Sequence, residues 1–309
     1  EINTNICSNI KEVENEIKKI LNHLDEILKN HETEINCTSL HPFAIGKNQI
    51  ITDNLRYKRI MKDLQMVGKR FISQGLHVHI GIDNPEVAIK VNNALRVYLP
   101  LLLSLTTSSP FFEGEDTGLH SYRTKLFEAL PLAGMPDYLN NWNHFENLTK
   151  HLEGAGIINS VKDLWWDVRP HPGFGTIEIR VCDIPINFKE IIALVALTQA
   201  LVVTLIKSEP YEDTHIQILQ SNKWQAARYG LDGVFVDPIT YKKLSMIKAI
   251  ENLYILIEPA LVSLQSKKYC SILEEILISG TGSKKQRKLY TRSKNFAHML
   301  KTLKEQFYH

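Results

Sequence analysis

The chain of 309 residues is 44% hydrophobic and carries 36 basic against 34 acidic residues, a formal net charge of +2. That length and apolar content suffice for a buried core without disulfides or metals, and the even spread of basic residues excludes the charged stripe of a nucleic-acid binder. Cys7, Cys37, Cys182 and Cys270 lie far apart with no C-x-x-C spacing, which argues against a zinc knuckle or disulfide framework and fits a reducing cytoplasm.

The sequence opens at Glu1 in the β-compatible stretch EINTNIC, with no signal-peptide pattern, and reads as a chain short of some N-terminal residues. Residues 10–28 then carry apolar side chains at helical spacing, and Asn9 with Glu12 three residues later resembles a capping box. ETEINCTSLHPF alternates as a strand that Pro42 ends, and a second helix is predicted over about 53–73. A strand, LHVHIGI, follows; Pro85 opens a long helix through Leu105 that Pro100 should kink. Residues 107–140 are rich in Gly, Pro, Ser and aromatic side chains but not periodic, the signature of a long ordered loop with a function. A helix is predicted over 143–153, and the second half of WWDVRPHPGFGTIEIRVCD alternates as a strand.

From Phe188 the prediction is mostly helical: 188–208, about 240–265, 267–278 and 283–306. The apolar run Ile191 to Ile206 is shorter than the roughly 20 residues a bilayer requires and reads as a buried helix, with no membrane partner. Its composition suits a core or an interface between copies, so a homo-oligomer stays open. Strands and helices mix without regular βαβ alternation, which favours α+β with an antiparallel sheet.

Side chains alternate along a strand, so His77 and His79 project to one side about 7 Å apart, with Val78 and Ile80 behind them. GTIEIRVCD repeats the design, with Glu178 and Arg180 on one face and Ile177, Ile179 and Val181 on the other. If both strands join one sheet, His, Glu and Arg line a common site. Carboxylate and imidazole suit a divalent cation, and carboxylate without thiolate favours magnesium or manganese. Arginine on the same face suits phosphate or carboxylate. Taken alone, H-x-H reads equally as a satisfied histidine pair, and E-x-R favours a cross-strand ion pair. Arg123 in HSYRTKLF and Arg169 in WWDVRPHPGFG stand in unusual settings, with a surface arginine as the bland alternative. GTGSKKQRK lacks the spacing of a Walker phosphate loop.

Together HVHIGID, LTTSSPFFEGEDTGLHSYRTKLF, WWDVRPHPGFGTIEIRVCD, ARYGLDG and GTGSKKQRKLY resemble, in order along nearly the whole chain, the bacterial carboxylate-amine ligases of the glutamate-cysteine ligase type 2 family. The resemblance implies a glutamine-synthetase-like curved antiparallel sheet with helices on its outer side, forming a single catalytic domain over residues 1–309. It implies ATP, magnesium or manganese as cofactors and glutamate with cysteine or another amine as substrates, joined through a γ-glutamyl phosphate. By position, Glu178 becomes a metal ligand, with Glu1 and His79 beside it; Arg180 contacts phosphate or acyl phosphate. His77 and His79 lie towards metal and nucleotide phosphates, and Arg123 and Arg169 become candidates for substrate carboxylate or nucleotide phosphate. Family members normally begin some tens of residues earlier, with a G-x-E-x-E strand supplying further carboxylates. Two other readings stand beside this one: a zinc hydrolase built on His77 and His79, and a non-catalytic relative that binds ATP.

Overall fold

A computed structural model describes residues 2–31 and 33–308. Helix α1 (Ile10–Lys29) begins where Asn9 Oδ1 accepts the amide of Glu12 and Glu12 Oε2 accepts the amide of Ser8, a variant of the expected capping box. The segment predicted as a strand over 32–43 forms no ladder among the described residues. It makes a single bridge, Leu40 to Ser73, and Gln74 Nε2 donates to the carbonyls of Asn36 and Thr38 instead. Helix α2 (Leu55–Leu64), capped by Asn54, is about half the predicted length, because Gln65 takes a φ of 48° and turns the chain out of the helix.

Strand β1 (Val78–Gly81) leads into α3 (Pro85–Thr106), where Asn84 Oδ1 accepts the amides of Glu86 and Val87 and Pro85 has no amide to leave unpaired. The predicted loop 107–140 is ordered and holds short pieces: β2 (Phe111–Phe112), β3 (Glu115–Asp116), α4 (Tyr122–Glu128) and β4 (Ala133–Gly134). Arg123 thus lies on a helix, which Ser121 caps. Next come α5 (Trp142–Gly154), β5 (Trp165–Trp166), β6 (Val168–His171), β7 (Thr176–Ile179) and α6 (Phe188–Lys207).

The C-terminal third departs most from prediction. Helix α7 (Ile216–Tyr229) was not expected, since its buried face carries Asn222 and Lys223 and so lacks a clean apolar stripe. The hairpin of β8 (Val234–Val236) and β9 (Lys243–Ser245) delays α8 (Met246–Ser263), whose cap is Ser245. After α9 (Ile272–Ser279), the predicted helix 283–306 divides into α10 (Gly282–Ser293) and α11 (Phe296–Glu305), because Lys294 is left-handed and Asn295 caps a new start.

Three strands form the central sheet in the order β1, β7, β6, all antiparallel. Pro170 lies in β6, where the missing amide is tolerated because, among the described residues, β6 pairs with β7 alone. Between Val78↔Ile179 and Gly75↔Asp183 the register slips by one residue, and the amides of Arg180 and Val181 both donate to the carbonyl of Asp167. That is the hydrogen-bond signature of a β-bulge.

One face of the sheet is dry. Val78, Val168, Ile177 and Ile179 are buried in one cluster with the apolar sides of α3 and α6. Each such side chain contributes about 1.5–3 kcal/mol. Helix α6 is long and apolar enough to cross a membrane by length and composition, yet 72% of its most apolar window is buried inside the protein. It is a core helix, as its sequence predicts. The helices therefore press on the apolar face and leave the other face of the sheet to polar side chains.

Candidate active site

The polar face centres on Glu178. It lies in the middle strand, directly opposite His79 of β1 on one side and Arg169 of β6 on the other. Opposed residues in an antiparallel pair have Cβ atoms about 4.5–5.5 Å apart, so three chemically distinct groups converge without any loop. His77, just before β1, and Arg180, just after β7, extend the same face.

The carboxylate is 3% exposed and both of its oxygens are engaged. Oε2 accepts from Arg169 Nε at 2.7 Å, and Oε1 accepts from Arg180 Nη1. His79 Nε2 and His77 Nδ1 lie 3.6 Å and 3.7 Å from Oε1. Burial by itself would raise the Glu178 carboxyl, but the His79 imidazole and the guanidiniums of Arg180 and Arg169 outweigh it and hold the group well below the usual carboxylate range. His77 is lowered to about 3, by burial first and then by the cations Arg180 and Arg123, so its imidazole is neutral at physiological pH.

Neither Arg169 nor Arg123 is a surface residue. Arg169 is 4% exposed; Nη1 donates to the carbonyls of Val161 and Leu164 at 2.6 Å each while Nε holds Glu178. Arg123, equally buried, donates to the carbonyls of Arg180 and Val181 at the bulge and lies 3.7 Å from Asp183. It grips the backbone that presents Arg180. Arg180 keeps more exposure than these two and is the guanidinium best placed to meet a ligand from solvent.

A resident divalent cation does not fit the described residues as they stand. Among them, no group of three or more His, Cys, Asp or Glu side chains is gathered so as to hold a metal. Glu178 and His79 meet, but each oxygen of Glu178 already faces a guanidinium, which repels a cation. Glu1, the third expected ligand, lies outside the described residues. The same count leaves His77 and His79 without the further ligands of a zinc hydrolase.

Residues not singled out from sequence complete the support. Asp183, fully buried, accepts from the Ser108 amide at 2.9 Å, Ser109 Oγ at 2.8 Å and Ser121 Oγ at 3.0 Å, which joins the 107–121 segment to the stretch of chain after β7. Lys223 of α7, also buried, pairs with Asp167 and with Glu128. Thr281 and Ser283, in GTGS, bond Thr107 and each other, and Ser283 Oγ lies 2.8 Å from His120 Nδ1. Asp167 and Asp183 stand within motifs visible in the sequence; Lys223, far along the chain on an unpredicted helix, has no local signal.

Comparison with known proteins adds a separate line of support. The model of the family described as glutamate-cysteine ligase family 2 matches residues 1–306. A protein of Gloeobacter violaceus named "Putative glutamate--cysteine ligase 2" is 37% identical over 307 residues, 98% of this chain and 82% of that protein. A protein of the same name from Solibacter usitatus is 36% identical over 294 residues, 94% of this chain and 76% of its own. Among solved structures, a bifunctional glutathione synthetase from Pasteurella multocida aligns with a TM-score of 0.64 at 11% identity, over 88% of this chain and 41% of that one. Glutamate–cysteine ligase from Francisella tularensis in complex with AMP aligns with a TM-score of 0.51 at 14% identity, over 82% of this chain and 61% of that one. At such identities these two likenesses speak for the fold, a mixture of helices and antiparallel sheet.

Proposed function

We propose, from the premise that this chain belongs to glutamate-cysteine ligase family 2, that it joins glutamate to cysteine with cleavage of ATP. The observation that carries the reading is the family match along residues 1–306, and the buried Glu178 flanked by Arg169, Arg180 and two imidazoles agrees with it. In this reading the γ-carboxylate of glutamate takes the terminal phosphoryl group of ATP and ADP departs. The cysteine amine then attacks the acyl carbon, the bond to phosphate breaks, and the amine gives up a proton as the amide forms. Magnesium, or manganese in its place, enters as part of the substrate, the metal–ATP complex.

The protein's own groups act mainly by charge and placement, which is what phosphoryl transfer demands. Arg180 meets the phosphoryl or acyl-phosphate oxygens. His79, on the same face, and the neutral His77 face the nucleotide phosphates. Glu178 fixes the direction of Arg180, while Arg169 and Arg123 act as positioning residues, since their burial and backbone bonds leave little reach for a ligand. We read the chain as one catalytic unit. Its cysteines are all free among the described residues, which suits a reducing cytoplasm.

The test is ADP release by the purified protein with ATP, magnesium, glutamate and cysteine, together with detection of γ-glutamylcysteine. Glu178→Gln should lower turnover by roughly 10²-fold or more with an unchanged circular dichroism spectrum. Absence of ADP release with every amino-acid pair tried would sink the reading, and nucleotide binding without turnover would leave only the ATP-binding relative.

A further inference from the structure

The polar face of the sheet continues past Glu178 to a second feature to which the reading above gives no role. Along β1 and the residue before it, His77, His79 and Gly81 alternate onto one side, and the space where a Gly81 side chain would stand is empty to 4 Å. Gly81 lies opposite Thr176, whose hydroxyl is 2.9 Å from His79 Nδ1. Beside this bare patch rises an aromatic pair from the β6–β7 turn. Phe174 stacks on His171 with ring centroids 4.3 Å apart and planes 9° from parallel, and both rings meet His79 edge-on at 5.6 Å and 5.7 Å.

Two details set this pair apart from ordinary packing. Phe174 is 68% exposed although one of its faces is covered by His171, so its other face is bare to solvent. His171 is 8% exposed, and its Nδ1 is buried with no hydrogen-bond partner. The tip is held in shape: the Phe174 amide donates to the His171 carbonyl at 3.1 Å, Gly175 takes a φ of +60°, and its carbonyl accepts the Ile82 amide at 2.9 Å. A large apolar ring fixed open over a side-chain-free floor is a stacking surface for a flat ligand.

We propose that Phe174, backed by His171, is the platform on which the base of the nucleotide stacks. The inference rests on the reading above, and it adds a base subsite to it. From the Phe174 ring the path to the phosphate-binding groups is one imidazole long, through His79 to Glu178, whose Oε1 is 3.6 Å from His79 Nε2. A nucleotide lying along this face puts its base at the turn and its phosphates at Arg180.

Calorimetric titration of the full chain with ADP and, separately, with inorganic tripolyphosphate tests the assignment. Phe174→Ala should weaken ADP binding by about 10-fold, as loss of one base–aromatic stack does, and leave tripolyphosphate binding unchanged. Phe174→Tyr and Phe174→Trp should restore ADP affinity, and in steady state Phe174→Ala should raise the KM for ATP with kcat nearly retained. ADP binding by Phe174→Ala equal to that of the unaltered protein overturns the platform, as does an equal loss for tripolyphosphate. Tripolyphosphate binding by the unaltered protein without any nucleotide binding also overturns the platform while sparing the phosphate site; failure to bind either ligand overturns the nucleotide reading itself.

Discussion

Arg169 and Glu178 face each other across the β6–β7 pair with Nε 2.7 Å from Oε2, both side chains about 5% exposed or less. Removing Arg169 leaves one oxygen of the buried Glu178 carboxylate without its partner and only Arg180 to offset the charge, at a cost of up to about 3–5 kcal/mol. Arg169→Ala is therefore expected to shift the urea unfolding midpoint strongly downward. Arg169→Lys should fall between, because an ammonium keeps the charge but cannot serve Glu178, Val161 and Leu164 together as the guanidinium fork does. An alanine variant as stable as the parent would contradict this account.

Acid should destabilise the fold in two overlapping stages. His77 is lowered to about 3 from an ordinary 6.5, so below pH 6.5 the unfolded chain binds a proton there that the folded chain refuses, and stability falls as pH drops from 6.5 towards 3. Glu178 stays ionised in the fold while its unfolded carboxyl protonates near 4.5, which deepens the loss below that pH. Urea midpoints measured from pH 8 to pH 4 should show the decline, and His77→Gln should make it shallower between 6.5 and 4.5. The activity profile should carry no His77 step near 6.5, since the imidazole is already neutral there.

Helix α2 is clipped to the 3-10 turn Val161–Asp163, whose Val161 carbonyl accepts from Arg169. Asp163 Oδ1 meets Arg56 Nη2 at 3.2 Å and Oδ2 meets Arg59 Nη2 at 3.3 Å, and no residue of α2 itself is buried. Half-exposed ion pairs contribute about 0–1 kcal/mol each, so Asp163→Asn should change global stability little. Local opening is another matter, and trypsin should cut the variant faster within residues 56–70. Equal digestion rates would show that the clip does not hold the helix.

Gly75 has no room for a side chain. A Cβ there would lie 2.2 Å from Arg123 Nη2 and 2.5 Å from Cζ. Gly75→Ala must displace the guanidinium that grips the carbonyls of Arg180 and Val181, and the expected destabilisation is about 1–3 kcal/mol. Turnover should fall further than stability alone explains, because Arg180 loses its support. Wild-type kinetics in a folded Gly75→Ala protein would remove Arg123 from the positioning role.

Much of the site was legible because period-two alternation survives in short strands. HVHIG and TIEIR each declare a dry face and a wet face, and the observed register places His79 and Arg169 on either side of Glu178. What alternation does not encode is reach. The burial of Arg169 follows from its bonds to Val161 and Leu164, carbonyls in and just after a 3-10 turn with no periodic signal. Lys223 escaped notice for a related reason, since a lysine on a buried helix face is intelligible only once Asp167 and Glu128 are known to await it. The strand expected over 32–43 failed because alternation requires a neighbour to pair with, and only Leu40 finds one among the described residues.

Pro170 gives the two margins of the central sheet different fates. At the β6 margin its ring removes an amide that an incoming strand would need, so an added chain there would meet a gap in its hydrogen bonds. The β1 margin carries no proline in Val78–Gly81. Enlargement of this sheet, whether by another segment of the same polypeptide or by an unwanted neighbour during aggregation, is therefore biased to one side, the side on which His79 stands.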